Sequence, residues 1–142
     1  MSTDSLESGR YLSQVDASCT LKVLVVDDER DLADLAGELL SAYAVANRVA
    51  YSAEEGLRAI GQDSEINAVF SDIMMPRMNG LQMAMTIKDR YPEVKIILTS
   101  GFTPPEILVM HDAFYMFTPK PYKIETVIKI FTSDFKFRRS YS

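Results

Sequence analysis

The sequence predicts an α/β fold, a doubly wound five-stranded parallel sheet with helices on both faces. Short, almost wholly apolar segments rich in Val and Ile recur along the chain, and such segments are typical of strands buried on both faces of a parallel sheet. Segments with apolar residues at helical spacing alternate with them. Strands that alternate with helices form a parallel sheet, because each right-handed crossover lays its helix against the sheet.

The first half of the chain contains three predicted strands and two predicted helices. The strands are Leu21–Val26, Val45–Ala50 and Ile66–Ser71, and the third runs directly into Asp72. The first helix is Arg30–Ala42, in which apolar residues recur at helical spacing, namely Leu32, Leu35, Ala36, Leu39 and Leu40. Ser52 and Glu55 fit a capping box that begins the second helix, and Gly61 is predicted to end it.

The second half of the chain continues this alternation. Pro76 and Gly80 frame a loop before a helix at about Leu81–Arg90, which Tyr91 and Pro92 end. A strand follows at Val94–Leu98 and leads into Thr99, Ser100 and Gly101. A short helix is predicted after Pro104 and Pro105, and then a strand at Phe114–Phe117. The last predicted helix carries an apolar face of Ile124, Val127, Ile128, Phe131 and Phe135.

Length and composition predict a soluble globular protein with one core. The chain has 142 residues, of which 47% are apolar and 25% are charged. Its net charge of −5 argues against general affinity for nucleic acid or anionic membranes. No apolar run approaches the roughly 20 residues that cross a bilayer. Cys19 is the only cysteine, which excludes an internal disulfide and favours a reducing, cytoplasmic compartment.

A single domain is predicted at residues 21–137, between two tails. Residues 1–20 are polar and rich in Ser, and they lack the basic start and apolar stretch of a signal peptide. A flexible tail with a short helical piece at about Leu6–Val15 is therefore expected. Residues 138–142, which include Arg138 and Arg139, are predicted to form a solvated C-terminal tail.

Polar residues follow directly after four of the predicted strands. Asp27 and Asp28 follow the first strand, Asp72 the third, Thr99 the fourth and Lys120 the fifth. Ligands of open parallel sheets bind beyond the carboxyl ends of the strands, so these side chains are expected to meet at one edge. Taken singly, each has an ordinary interpretation: the Asp pair as a helix cap, the Thr as part of a turn and the Lys as a solvated charge.

Together, these residues predict a cation site and a nucleophile. Three clustered carboxylates repel one another and need a cation. All-oxygen ligation with few protein ligands favours Mg²⁺ over Ca²⁺, so Asp27, Asp28 and one oxygen of Asp72 are predicted to hold Mg²⁺. The other oxygen of Asp72 stays free to attack phosphorus and form an aspartyl-phosphate. Mg²⁺ and Lys120 would stabilise the charge on the phosphoryl group, and Thr99 would donate a hydrogen bond to it.

Four motifs, in this order, resemble the signature set of response-regulator receiver domains, in particular stand-alone chemotaxis regulators. They are Val-Val-Asp-Asp-Glu at 25–29, Ser-Asp-Ile-Met-Met-Pro-Arg-Met-Asn-Gly at 71–80, Ile-Leu-Thr-Ser-Gly at 97–101 and Pro-Lys-Pro-Tyr at 119–122. The resemblance covers about residues 21–137 and implies the flavodoxin-like receiver fold with strand order 2-1-3-4-5. Ser100, in place of the common alanine, and Met110–Ala113, which lacks the usual Gly-Ala-Asp turn, depart from the pattern.

The resemblance also implies a role for each site residue. Asp72 matches the phosphoacceptor, Asp27 and Asp28 the metal-binding pair, Thr99 the switch hydroxyl, Lys120 the family's lysine and Phe117 the aromatic switch position. Met74 would give its backbone carbonyl to the metal. The peptide bond between Lys120 and Pro121 is expected to be cis.

These observations predict a phosphoacceptor switch, and not an enzyme that acts on another substrate. A sensor histidine kinase or a histidine phosphotransfer protein would donate the phosphoryl group, and the domain would catalyse its own phosphorylation and dephosphorylation at most. It would signal to a downstream protein target as a monomer or weak dimer, without direct contact to nucleic acid and without membrane insertion. The chain is either a whole protein or a piece of a larger regulator or hybrid kinase.

Two alternatives use the same fold or the same chemistry. A phosphorylation-independent interaction module would normally have lost one of the acidic or lysine positions, and this chain keeps them all. A phosphohydrolase that forms an aspartyl-phosphate would need a second carboxylate two residues beyond the nucleophile, where this chain has Met74. It would also need an insertion large enough to cover the substrate, and the sequence contains none.

Overall fold

The computed structural model of this chain describes residues 20–101 and 116–141, with side chains through residue 133. Several predicted features lie outside the described residues. They are the N-terminal tail through Cys19 with its helical piece at Leu6–Val15, the helix after Pro105, and the first two residues of the predicted fifth strand. Within the described part of the chain, no helix is both long and apolar enough to cross a membrane.

The described residues form a doubly wound parallel sheet. The strands are β1 (Lys22–Val26), β2 (Ala46–Ala50), β3 (Ala68–Asp72), β4 (Lys95–Ser100) and β5 (Met116–Pro119). The helices are α1 (Arg30–Ala42), α2 (Ala53–Gln62), α3 (Gly80–Arg90) and α4 (Ile124–Tyr141). The strand order is β2-β1-β3-β4-β5, and every neighbouring pair is parallel, so the predicted fold class and strand order are confirmed.

Each face of the sheet has its own hydrophobic core. On one face, Val25 of β1 belongs to a buried cluster with Leu40 of α1 and Phe131 of α4. On the other face, Leu24 belongs to a buried cluster with Met83 of α3 and with residues of α2. Successive side chains of a strand point to opposite faces, so burial on both faces explains why the central strands are almost wholly apolar.

Strands β3 and β4 extend further than the apolar pattern predicts. Asp72 is the last residue of β3, and β4 continues through Thr99 and Ser100. In the sheet Asp72 pairs with Thr99, and Ser100 pairs with Pro119. The backbone ladder therefore continues beyond the last apolar side chain, because ladder hydrogen bonds do not depend on side-chain polarity.

The ends of α2 also differ from the prediction. The Ser52 hydroxyl accepts the Glu55 N–H, as a capping box requires, but the Glu55 carboxylate accepts the N–H of Tyr51 instead of that of Ser52. Gly61 does not end the helix, which continues to Gln62. The φ angle of Gly61 is not positive, so Gly61 does not adopt the left-handed conformation in which a glycine commonly ends a helix.

The C-terminal helix α4 is longer than predicted. It extends to Tyr141, so residues 138–141 of the predicted tail have a helical backbone. The sequence between Phe131 and Tyr141 contains neither Gly nor Pro, and basic residues near the C-terminus of a helix interact favourably with its dipole. The predicted boundary at residue 137 therefore does not coincide with the end of the helix.

Helix α1 ends in a Schellman motif in which the left-handed residue is an alanine. Ala44 has φ 62°, its N–H donates to the Ser41 carbonyl, and the Val45 N–H donates to the Leu40 carbonyl. Because a Cβ is strained in this conformation, Ala44→Gly is expected to raise the free energy of unfolding by about 1 kcal/mol. Ala42→Gly, at the exposed end of α1, is expected to lower it by up to about 1 kcal/mol. Urea unfolding measures both changes, and the same sign for both variants would contradict the expectation.

Candidate functional site

The parallel register brings the predicted site residues to one edge of the sheet. Strands β1 and β3 are adjacent and in register, so Asp27 and Asp72 lie side by side at their carboxyl ends. Asp72 pairs with Thr99 of β4. Lys120 follows β5, and its N–H donates to the carbonyl of Ser100 at 3.1 Å. Four strands therefore contribute polar residues to a single cleft.

Three carboxylates at this edge form a candidate cation site. One oxygen from each of Asp27, Asp28 and Asp72 lies within 4.8 Å of the other two. Asp27 and Asp72 are buried, whereas Asp28 is exposed. A hard divalent ion such as Mg²⁺ takes oxygen ligands and keeps several waters, which requires partial solvent access. The donor atoms and the exposure of Asp28 fit this requirement.

The two oxygens of the Asp72 carboxylate have different neighbours. Oδ2 lies 3.4 Å from the Lys120 ammonium nitrogen, which is also 3.6 Å from Asp27 Oδ2. Oδ1 accepts a long hydrogen bond of 3.4 Å from the backbone N–H of Met74. Met74 is 58% exposed, and its contact with the carboxylate is made by the backbone N–H. Lys120 therefore bridges two of the three clustered carboxylates.

The Thr99 hydroxyl is buried beside this cluster. Thr99 is 2% exposed, and its Oγ1 has no hydrogen-bond partner among the described residues. A buried hydroxyl left unpaired costs about 1–3 kcal/mol. A group of this kind fits a site in which a bound ligand supplies the missing partner.

The backbone of Asp72 is held by neighbours that the sequence analysis did not identify. The Ser71 hydroxyl donates to the Asp72 carbonyl at 2.8 Å, and the Ile73 N–H donates to the Thr99 carbonyl at 2.9 Å. Gly80 approaches the Asp72 carbonyl so closely that an added Cβ at Gly80 would lie 2.1 Å from the carbonyl oxygen. The position of Gly80 in the motif at 71–80 was the available signal, but it was interpreted only as a loop boundary.

The segment after β5 contains the predicted aromatic position and the cis bond. Phe117 is half-buried and packs against the core that contains Met83. The peptide bond between Lys120 and Pro121 is cis, the isomer that the resemblance implies.

Tyr122 is a further residue at the site that the sequence analysis did not single out. Its ring packs edge-on against Phe70 of β3, with ring centroids 4.8 Å apart. Burial, and next the negative charge of Asp27, raises the pKa of the Tyr122 hydroxyl. The phenol therefore stays protonated near the carboxylates.

Burial makes ionisation of Asp72 unfavourable in the protein without a bound cation. Desolvation raises the pKa of its carboxyl and outweighs the opposing effect of the Lys120 ammonium, while the charge of Asp27 raises the pKa further. A carboxyl whose folded-state pKa is raised stabilises the fold below its ordinary pKa of 3.8, and this contribution is lost as pH rises through the folded-state value. Ionised Asp72 therefore destabilises the cation-free fold at neutral pH.

Asp72→Asn is accordingly expected to raise the thermal unfolding midpoint at neutral pH in the presence of a chelator. The difference in unfolding midpoint between Asp72→Asn and the native chain should shrink as pH falls towards 4, because Asp72 of the native chain then takes up a proton and loses its charge. Calorimetry across this pH range measures the effect, with Asp89→Asn, an exposed carboxylate on α3, as the control. A lower midpoint for Asp72→Asn at neutral pH would contradict the expectation.

The sequence matches the response regulator receiver domain over residues 23–131. It is 30% identical over 102 residues to the transcriptional regulatory protein CpxR of Escherichia coli (strain K12), covering 71% of this chain and 43% of CpxR. It is 29% identical over 114 residues to the sensor kinase CckA of Brucella abortus (strain 2308), covering 78% of this chain and 12% of CckA. The chain thus spans less than half the length of these relatives.

Solved structures show the same fold. The receiver domain of NtrX from Brucella abortus is 34% identical, with a TM-score of 0.68, over 76% of this chain and 92% of that chain. A response regulator receiver domain protein from Clostridium thermocellum has a TM-score of 0.75 at 24% identity, over 86% of this chain and 99% of that chain. Since the family match extends from β1 into α4, this chain belongs to the response regulator receiver domain family.

Proposed function

We propose that this chain is a phosphoacceptor switch, in which Asp72 receives a phosphoryl group from a phosphohistidine of a sensor histidine kinase or a histidine phosphotransfer protein. The observation that carries the proposal is the site itself: three carboxylates clustered within 4.8 Å, with the Lys120 ammonium beside them. The Thr99 hydroxyl, which has no hydrogen-bond partner in the part of the chain that the structure describes, lies next to this cluster. Membership of the receiver domain family supports it.

In the proposed reaction, an oxygen of the Asp72 carboxylate attacks phosphorus. The new P–O bond forms as the N–P bond to the donor imidazole breaks, and the bonding electrons leave with the imidazole nitrogen. Lys120, which lies 3.4 Å from Asp72 Oδ2, neutralises negative charge that develops on the phosphoryl oxygens. The Met74 N–H orients the other Asp72 oxygen.

The cation proposed for the site is Mg²⁺, held by Asp27, Asp28, one oxygen of Asp72 and the backbone carbonyl of Met74. When bound, Mg²⁺ supplies positive charge that offsets both the clustered carboxylates and the phosphoryl oxygens. The all-oxygen donor set and the exposure of Asp28 support this choice.

The product would change the surroundings of Thr99. At neutral pH an acyl phosphate carries a total charge of about −1.5 to −2, by analogy with other phosphorylated side chains, in place of the single negative charge of the carboxylate. The buried Thr99 hydroxyl would then donate to a phosphoryl oxygen, a partner that the described residues do not supply. We propose that this rearrangement of Thr99, together with a rotamer change of Phe117, shifts the population of conformations of the surface formed by β5 and α4.

The reaction type, cellular location, target and oligomeric state of the chain stay predictions. The chain is proposed to transfer phosphoryl groups to and from Asp72 and to act on no other substrate, since Met74 occupies the position where a phosphohydrolase needs a second carboxylate. A cytoplasmic location, a downstream protein target and a monomeric or weakly dimeric state are proposed with it. The net charge of −5 supports the prediction that it does not contact nucleic acid directly.

Incubation with acetyl phosphate or phosphoramidate, with and without Mg²⁺, tests the proposal by intact mass. We expect a Mg²⁺-dependent gain of one phosphoryl group that hydroxylamine removes, because hydroxylamine cleaves acyl phosphates and leaves Ser and Thr esters intact. The gain should be absent in Asp72→Asn and retained in the control Asp89→Asn. A folded, Mg²⁺-binding chain that gains no mass would contradict the proposal and favour the phosphorylation-independent interaction module.

A further inference from the structure

Tyr51, directly after β2, contacts the first turn of α1 with both its ring and its hydroxyl. The Arg30 guanidinium lies over the ring, 4.1 Å from the ring centroid. The hydroxyl donates to Asp34 Oδ1 at 2.6 Å, and this hydrogen bond raises the pKa of the Tyr51 phenol, which therefore stays protonated as the donor. Because Arg30 and Asp34 lie one helical turn apart, a single side chain spans the first turn of α1.

The backbone around Tyr51 is fixed from two other directions. Its N–H donates to Glu55 Oε1 of α2 at 2.8 Å. The carbonyl of the preceding residue, Ala50, accepts the N–H of Asp27 at 3.2 Å. Tyr51 also packs against the hydrophobic core on the α1 face of the sheet. Ala50 and Tyr51 therefore contact both ends of the β1–α1 turn. Ala50 contacts Asp27, directly after β1, and Tyr51 contacts Arg30, the first residue of α1.

The turn between these two contacts carries two of the three carboxylates of the candidate cation site. Asp27 and Asp28 lie in it, and Asp27 Oδ1 accepts the N–H of Glu29 at 3.0 Å. Arg30 follows Asp28 by two residues, yet it forms no ion pair with any residue that the structure describes. A guanidinium released from the Tyr51 ring would be free to pair with these carboxylates and compete with a bound cation.

We propose that Tyr51 is a positioning residue for the cation site. By holding Arg30 and the first turn of α1, it fixes the turn that presents Asp27 and Asp28 and keeps the guanidinium away from them. The inference rests on the proposed binding of Mg²⁺. Residues that orient metal ligands through outer contacts typically change metal affinity by about 10- to 100-fold when they are replaced.

Calorimetric titration of Mg²⁺ into the cation-free full chain tests this role without any phosphorylation. Tyr51→Leu, which loses both contacts with α1, is expected to weaken Mg²⁺ binding by about tenfold. Tyr51→Phe, which keeps the ring under Arg30, is expected to weaken it by no more than about threefold. The matched control is Tyr43→Leu, because Tyr43 is an exposed tyrosine at the other end of α1, where its hydroxyl donates to Glu125. The control is expected to bind Mg²⁺ like the native chain.

Either of two results would overturn this inference and leave the proposed function intact. One is native-like affinity in Tyr51→Leu, and the other is an equal loss in Tyr43→Leu, which would indicate general loosening of α1. Should Tyr51→Leu fail to fold by circular dichroism, Tyr51→Met, which retains more of the packing volume, takes its place with the same expectation. A native chain that does not bind Mg²⁺ would instead overturn the proposed function, and this inference with it.

Discussion

Replacement of Lys120 by methionine is expected to slow phosphorylation of Asp72 by a small-molecule donor by about 100-fold or more. The ammonium nitrogen lies 3.4 Å from Asp72 Oδ2 and 3.6 Å from Asp27 Oδ2, and it is the protein cation proposed to neutralise the phosphoryl oxygens. Mg²⁺ binding is expected to become tighter at the same time, because a positive charge that competes for the same carboxylates is lost. Intact mass against time and calorimetric titration measure the two effects.

The opposite signs of these effects separate a role in charge stabilisation from general damage to the site. Lys123→Met is the matched control, since Lys123 is an exposed lysine just before α4 and three residues further along the chain. It is expected to leave both the rate and the Mg²⁺ affinity unchanged. A native-like rate in Lys120→Met would contradict the proposed role, and a parallel loss of Mg²⁺ affinity would show that Lys120 mainly holds the carboxylates in place.

Gly80→Ala is expected to lower the free energy of unfolding by about 3 kcal/mol, the upper part of the usual range for overpacking. An added Cβ would lie 2.1 Å from the carbonyl oxygen of Asp72 and 3.0 Å from the Cα of Ile73. Both are backbone atoms, so neither can rotate aside as a flexible side chain would. The start of α3 or the end of β3 must therefore shift, and phosphorylation of Asp72 should slow together with the loss of stability. Chemical unfolding and the phosphorylation assay measure both.

Gly61→Ala provides the matched glycine control in a helix. Among the described residues, an added Cβ at Gly61 would meet the Tyr91 hydroxyl at 3.7 Å, which is ordinary van der Waals contact. Since alanine favours the helix more than glycine does, this change is expected to raise the free energy of unfolding by about 0.5–1 kcal/mol. A Gly80→Ala variant that unfolds as the native chain does would show that the loop after β3 can relax without cost.

Within residues 20–101 and 116–141, the pattern of apolar residues was sufficient to predict the order of strands and helices. Helix α1 has the predicted limits, Arg30–Ala42, because the helical spacing of its apolar residues covers the whole element. The strand order was a different kind of prediction. Periodicity identifies a strand but does not say which strand lies beside it, so the order 2-1-3-4-5 came from the resemblance to receiver domains and was then confirmed.

Local signals were less successful at the ends of elements. Gly61 was expected to end α2, and residues 138–141 were expected to be a tail, yet both have a helical backbone. Glu55 was expected to complete a capping box with Ser52, but it accepts the N–H of Tyr51. Helix ends depend on which of several nearby donors the folded backbone presents, and a short sequence pattern does not specify that choice.

The residues that meet at the carboxyl edge of the sheet could be predicted from the sequence alone. Asp27, Asp72 and Lys120 come together because each lies at the carboxyl end of a strand or directly after it, and the strands run in the same direction. The surroundings of these residues could be seen only in the folded chain, including the close approach of Gly80 to the Asp72 carbonyl and the contact of Tyr51 with α1. The reason is that these contacts join different elements. Their distances are set by how helices pack on the sheet, which no periodic pattern along the chain encodes.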